Sequence, residues 1–331
     1  MKGAFVLTAA LVLSASVIAC DPSARAIAQP PVTSDAPSSL EALSPPSTPP
    51  EPSTPARGPL FGRRICLDPG HDGVWAPGAT GHTRSGAVPL HPTNHVPLYE
   101  HDLTLSVAER LQPLLEAEGA SVCLTRKSRE AGGGGQSEPY DYNGDGRVRS
   151  FAVEDTPERT QPRIDWANGF GAELLVSIHF NGLDDPRARG TEVYYTDAGP
   201  TAEAGRRLAG SMMTGLLTEL RAAGHAVQDR GLRSDAYQRY SPAELRRMIE
   251  SHAAVIRANG QDPARCNDCY RLFTLGNNPM SLHPATYLGV MVEVEFLSNP
   301  DVVEGLILRL DLFDVIARGL LHGIEAYSAV E

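Results

Sequence analysis

The chain has 331 residues, enough for one large domain or two small ones, and its 41% hydrophobic content suffices for a sizeable core. The formal net charge is -11 and the basic residues are scattered. This argues against nucleic acid and anionic lipid headgroups as partners, and leaves an uncharged or peptide-bearing glycan compatible.

The first segment reads as an export signal. Lys2 precedes an apolar run, residues 5–18, that is short for a bilayer span. The run ends in Val17-Ile18-Ala19-Cys20, and small and aliphatic residues directly before a cysteine resemble a bacterial lipobox. Residues 1–20 are therefore expected to be a lipoprotein signal peptide, with Cys20 lipidated and anchoring the chain on the periplasmic side of a membrane. The alternative is an ordinary secretory signal, and either one carries the protein into the cell envelope. Residues 21–58 hold ten prolines and almost no large apolar residues, so they are expected to form a disordered tether. Fully extended, it would reach roughly 120 Å at about 3.1 Å per residue.

From residue 59 to 331 the pattern is that of one α/β domain. Strands are predicted at residues 64–68, 120–125, 172–179, 191–196, 272–275 and 288–296. Helices are predicted at 103–118, kinked by Pro113, at 201–223, and over much of 302–327. Strands alternating with helices predict a single domain with a mainly parallel, roughly six-stranded sheet covered by helices on both faces. Four cysteines remain beyond Cys20. Cys266 and Cys269 suit a local disulfide, whereas Cys66 and Cys123 could pair or remain buried thiols.

Chemistry-bearing residues collect at strand ends. The first strand runs into Asp68-Pro69-Gly70-His71, and the third ends in Ser177-Ile178-His179. Ligands of open α/β sheets bind at the carboxyl ends of strands, so both histidines reach one edge. Glu100 opens the helix after the first strand and points to the same edge. Two histidines and one carboxylate leave a fourth tetrahedral position for water, the catalytic form of a zinc site. The last strand holds Glu293 and Glu295 among apolar neighbours, where a carboxylate must be paired or functional. At positions i and i+2 they are expected on one face.

Six ordered pieces together resemble the zinc-dependent N-acetylmuramoyl-L-alanine amidases related to the bacterial cell-division amidases. They are Leu67-Asp68-Pro69-Gly70-His71, Glu100-His101-Asp102-Leu103-Thr104-Leu105, Gly119-Ala120-Ser121-Val122-Cys123-Leu124-Thr125-Arg126, Arg163-Ile164-Asp165-Trp166-Ala167-Asn168, Ser177-Ile178-His179-Phe180-Asn181-Gly182 and Val292-Glu293-Val294-Glu295-Phe296-Leu297-Ser298-Asn299-Pro300. The resemblance implies one catalytic Zn2+ held by His71, Glu100 and His179, with His101 as the rival ligand and Glu293 as catalytic base. Glu295 stands where the family often has a small residue. The implied reaction is hydrolysis of the amide between N-acetylmuramic acid and L-alanine in peptidoglycan. A catalytically silent peptidoglycan-binding module on the same fold is the alternative, but such a module would be expected to have lost a ligand or the base. A zinc carboxypeptidase or endopeptidase would need a different ligand arrangement, such as an HxxE pair, and none surrounds His71 or His179.

Three insertions depart from the compact family pattern. The first, near 72–98, carries His82, His91 and His95, read as loop histidines or a rim to the substrate groove. The second, near 132–155, contains Asp141-Tyr142-Asn143-Gly144-Asp145-Gly146, which resembles the front of a Ca2+ loop but lacks the closing glutamate. An Asx-rich turn is the alternative. The third, near 233–270, carries a capping box at Ser241-Pro242-Ala243-Glu244, followed by Leu245, Met248, Ile249, His252 and Ile256 at helical spacing. In some relatives a helix here blocks the site until an activator protein moves it, so the segment is expected to be either such a lid or a helix packed beside the sheet.

Overall fold

The structure is a computed structural model that describes residues 58–71, 99–127, 157–183, 185–236, 242–266, 275, 278–307, 309 and 311–330. They belong to one compact unit, Pro55–Glu331. The expected signal peptide, Cys20, the tether up to residue 57, His82, His91, His95 and the 141–148 loop lie outside the described residues. No helix among the described residues is long and apolar enough to cross a membrane.

The strands are β1 (Arg64–Pro69), β2 (Ser121–Leu124), β3 (Leu174–Asn181), β4 (Thr191–Tyr195), β5 (Asp229–Ser234) and β6 (Leu288–Phe296). They form one six-stranded sheet in the order β2-β1-β3-β6-β4-β5. The first four in that order are parallel, while β4 runs antiparallel to β6 and parallel to β5. The expected mainly parallel sheet is present, but its fifth strand in chain order is not 272–275. Of those residues only Leu275 is described, and its backbone is 3-10 helical rather than extended. The strand that takes this place, β5, reads Asp-Arg-Gly-Leu-Arg-Ser. It is a polar edge strand with a register shift against β4, and edge strands of this kind lack the apolar alternation that marks a buried one.

Period-two alternation assigns the two faces. Ile65 and Leu67 of β1, Val176 and Ile178 of β3, and Val290 and Val292 of β6 face the main core. There they meet α1 (Glu100–Ala117), α3 (Ala202–Ala222) and α7 (Asp311–Ser328). Helix α3 crosses α7 so closely that a Cβ on Gly215 would fall 2.4 Å from the Gly319 carbonyl oxygen. Helix α1 starts at Glu100, a turn earlier than periodicity indicated, and continues unbroken past Pro113. Cys66, Cys123 and Leu175 face the other side, against Ala167 of α2 (Pro157–Phe170) and Tyr287. Cys66 and Cys123 are register partners and form a disulfide between β1 and β2. Cys266 is also disulfide-bonded, and Cys269 lies outside the described residues.

The third insertion forms α4 (Pro242–Ser251) and α5 (Ala253–Ala258), two helices broken at His252. Met248, Ile249 and Ile256 pack with Ile164 of α2, Cys266 and Met280 in a small second core. Part of the apolar side of this segment is thus covered by α2, an arrangement that a lid and a packed helix share.

Candidate metal centre

β1, β3 and β6 end on one edge, and the candidate ligands gather there. At the end of β1 the backbone turns at His71, whose φ of 62° is the one positive value for a non-glycine among the described residues. Such a conformation costs on the order of 1 kcal/mol, so its surroundings must hold it. Two buried arginines do this through main-chain carbonyls. Arg163 of α2 donates from Nη1 to the Pro69 carbonyl at 2.9 Å and from Nη2 to the His71 carbonyl at 2.7 Å. Arg126, just after β2, donates from Nη2 to the carbonyls of Gly70 at 3.2 Å and His101 at 2.7 Å. Asp68 anchors Arg163 in turn, accepting from its Nη1 at 2.6 Å and from Ser177 and Thr125. Burial works against the Asp68 charge, but Arg163 and the two hydroxyls outweigh it and hold the carboxyl below the usual range.

His179 lies on the α2 side of β3, in alternation with Leu175. Its ring fits against β1 only because residue 70 is glycine: a Cβ there would fall 2.3 Å from the His179 Cε1. Glu100, the first residue of α1, is buried and accepts the Phe180 amide at 2.9 Å on Oε1. The same oxygen lies 2.9 Å from His71 Nε2 and 3.4 Å from His179 Nδ1, and those two nitrogens are 3.2 Å apart. One ligand atom from each of His71, Glu100 and His179 lies within 4.8 Å of the others, a group that could hold a metal ion. Burial opposes ionisation of Glu100, but the two imidazoles outweigh it and hold its carboxyl well below the usual range. Burial likewise opposes a charge on His179, and the bond to Glu100 more than offsets it, so its pKa is raised.

The rival ligand His101 stands outside this group, with Nε2 3.3 Å from Asp102 Oδ1. Glu293 of β6 is the register partner of His179 on one side and of Glu192 of β4 on the other. Its Oε2 is buried and accepts no hydrogen bond from a described residue. Burial, helped by Glu100 and Glu192 and opposed by His179 and His71, pushes its carboxyl up to about 7.

Glu295 does not share the face of Glu293, contrary to the spacing argument. Between the pairs His179↔Glu293 and Asn181↔Phe296 the register shifts, so β6 holds one residue more than β3. The extra residue reverses the alternation. Glu295 is buried, accepts the Gly190 amide at 2.6 Å, and lies 3.2 Å from Nε2 of His225, which follows α3. It is a structural clamp between β6, β4 and α3.

Composition and periodicity single out none of Arg126, Arg163, Asp68 and Glu192, although the first three lie within the matching pieces. Arg126 and Arg163 reach distant main-chain oxygens, and Asp68 and Glu192 collect side chains from other strands and helices, pairings that no local pattern reports.

A family model described as N-acetylmuramoyl-L-alanine amidase matches residues 65–325. The germination-specific N-acetylmuramoyl-L-alanine amidase of Bacillus subtilis is 31% identical over 137 residues, 41% of this chain and 46% of that protein. The N-acetylmuramoyl-L-alanine amidase LytC of the same organism is 26% identical over 203 residues, 61% of this chain and 32% of that one. The chain thus spans less than half the length of these relatives. The CwlD amidase of Clostridioides difficile, solved in complex with the GerS lipoprotein, shares the fold with a TM-score of 0.50 at 19% identity, covering 81% of this chain and 100% of that one. With a family match over most of its length, the chain belongs to the N-acetylmuramoyl-L-alanine amidase family.

Proposed function

We propose that this protein is a zinc-dependent amidase that hydrolyses the bond between N-acetylmuramic acid and L-alanine in peptidoglycan, in cell-wall remodelling or daughter-cell separation. The observation that carries the reading is the alignment of Glu293 beside His179, with His71, Glu100 and His179 converging on one point. Two imidazoles and a carboxylate are the donor set of catalytic zinc sites, so these residues fit the ion. A zinc ion held by them supplies Lewis-acid activation of water and of the amide carbonyl.

The protein's own groups do the rest. The Phe180 amide orients Glu100, and Arg163 and Arg126 fix the turn that carries His71. Glu293, held beside His179 by the pairing of β6 with β3, takes a proton from water and returns it to the leaving amine. Its Oε2 is available for that proton because no donor among the described residues occupies it.

An exported location accords with relatives named probable cell wall amidases. On this reading, residues 1–20 are a signal, lipidated Cys20 anchors the chain, residues 21–58 are a tether, and 59–331 work on the wall. Cys20→Ser should then move the protein from the membrane fraction to the soluble exported fraction; unchanged membrane association would contradict the anchor. The activity is tested by incubating purified peptidoglycan with the protein and measuring new amino-terminal alanine. A chelator should abolish the release, and added zinc should restore it.

A further inference from the structure

The row of side chains at the metal centre does not end at Glu293. Register places Glu192 of β4 directly across from Glu293, and β5 brings two arginines to Glu192. Arg230 donates from Nε to Glu192 Oε1 at 2.6 Å, and Arg233 donates from Nη2 to the same oxygen at 3.3 Å. The other Glu192 oxygen takes the Tyr194 hydroxyl at 3.0 Å and the Asn181 amide at 3.3 Å. Glu192 is thus buried and fully engaged, and its orientation is set.

The arginines are not used up in this way. The Arg230 guanidinium lies 4.7 Å over the Phe296 ring, which fixes its plane, and neither of its terminal Nη groups donates to a described residue. Nη1 and Nε of Arg233 donate to no described residue, and its side chain is 47% exposed. One carboxylate therefore aligns two guanidinium groups and leaves a net positive charge with open N–H forks, one residue from the candidate base. Paired, oriented forks of this kind match the two oxygens of a carboxylate.

We propose that Arg230 and Arg233, aligned by Glu192, form a subsite that binds a free carboxylate on the peptide side of the scissile amide, and so select the peptide stem. The inference rests on the amidase reading. A stem peptide presents such a carboxylate when its second residue is γ-linked D-glutamate, and loses it when that residue is the carboxamide. Phe296, held under Arg230, keeps the fork in place, so Arg230 acts as the fixed half of the subsite and Arg233 as the movable half.

The test is calorimetric titration of the metal-loaded full chain with L-alanyl-γ-D-glutamyl-L-lysine and with its analogue carrying the glutamate α-carboxamide. The acid form should bind at least about tenfold more tightly, as expected for charge-assisted bonds to a carboxylate. Arg233→Gln and Arg230→Gln should each bring the affinity ratio toward one, and Arg233→Lys should keep part of it. Equal affinities in the wild type would overturn the subsite. So would a ratio that survives both glutamine variants, or a loss that is the same for the two peptides. Because the readout is binding, it separates from turnover: a peptide preference without wall hydrolysis would count against the amidase reading and not against the subsite.

Discussion

The Nη2 of Arg163 donates to the main-chain carbonyl of His71 at 2.7 Å, so a residue of α2 fixes the backbone of a candidate metal ligand 92 positions away. Arg163 is held in turn by Asp68, which is buried and accepts three side-chain donors. Replacing Arg163 by Met leaves Asp68 charged and short of its cation, and releases the left-handed turn at His71. We expect Arg163→Met to cost about 3–5 kcal/mol of stability. In whatever fraction folds, zinc affinity, read by competition with a chromophoric chelator, should fall by about 10–100-fold. Arg163→Lys should recover stability better than zinc affinity, because one ammonium cannot reach both carbonyls and Asp68.

Gly70→Ala tests the packing of His179. Its Cβ would meet the imidazole at 2.3 Å, inside any real contact, so the ring must leave its position. Zinc binding should be lost while the fold survives, because the collision is with a side chain at the sheet edge. Retention of one tightly bound zinc in a folded Gly70→Ala protein would contradict the close approach.

The two glutamates of β6 should separate cleanly. Glu293→Gln should keep zinc and lower turnover about a hundredfold or more, as for loss of a positioned base. Glu295→Gln should leave turnover near wild type but lower the melting temperature, since it weakens the hold on Gly190 and the pairing with His225. The expected loss is about 1–3 kcal/mol for a buried hydrogen-bonded charge. Turnover and melting curves on the same preparations decide it.

Glu293 also makes a pH prediction for the metal-free protein. Its folded pKa, about 7, exceeds the ordinary 4.5, so the folded state holds the proton more tightly than the unfolded chain. Its contribution to stability is complete below the unfolded pKa and is lost as pH rises through about 7. Glu293→Gln should therefore stabilise the metal-free protein at pH 8, by on the order of 3 kcal/mol, and have little effect at pH 4. Denaturant melts of both proteins at the two pH values measure this. Equal offsets at pH 4 and pH 8 would contradict the raised pKa.

The sheet and the convergence of the candidate ligands were legible because strong local signals carry them. β1, β3 and β6 are apolar strands, and histidines just at or past the ends of parallel strands must share an edge. β5 was not legible, since a polar edge strand with a single leucine carries no burial pattern. The face of Glu295 was misread because a one-residue shift in pairing with β3 reverses the alternation, and pairing is a property of two strands. The arginine clamp on His71 and the Glu192 row arise from chain crossings, which sequence spacing does not encode. Helix α2 was passed over because its inner side is sparse, with Ile164 and Ala167 buried, and much of its surface is polar. Gln161 and Asn168 there hold the main chain at 282–286.

The central claim is that His71, Glu100 and His179 hold the zinc on which cleavage of the muramoyl-alanine amide depends. It is tested most directly by titrating zinc into chelator-stripped protein while measuring release of amino-terminal alanine from purified peptidoglycan. The account predicts activity that rises with zinc and saturates at one equivalent, with His179→Ala showing neither the bound zinc nor the release. Undiminished alanine release by stripped protein, or tight one-equivalent zinc binding by His179→Ala, would contradict it.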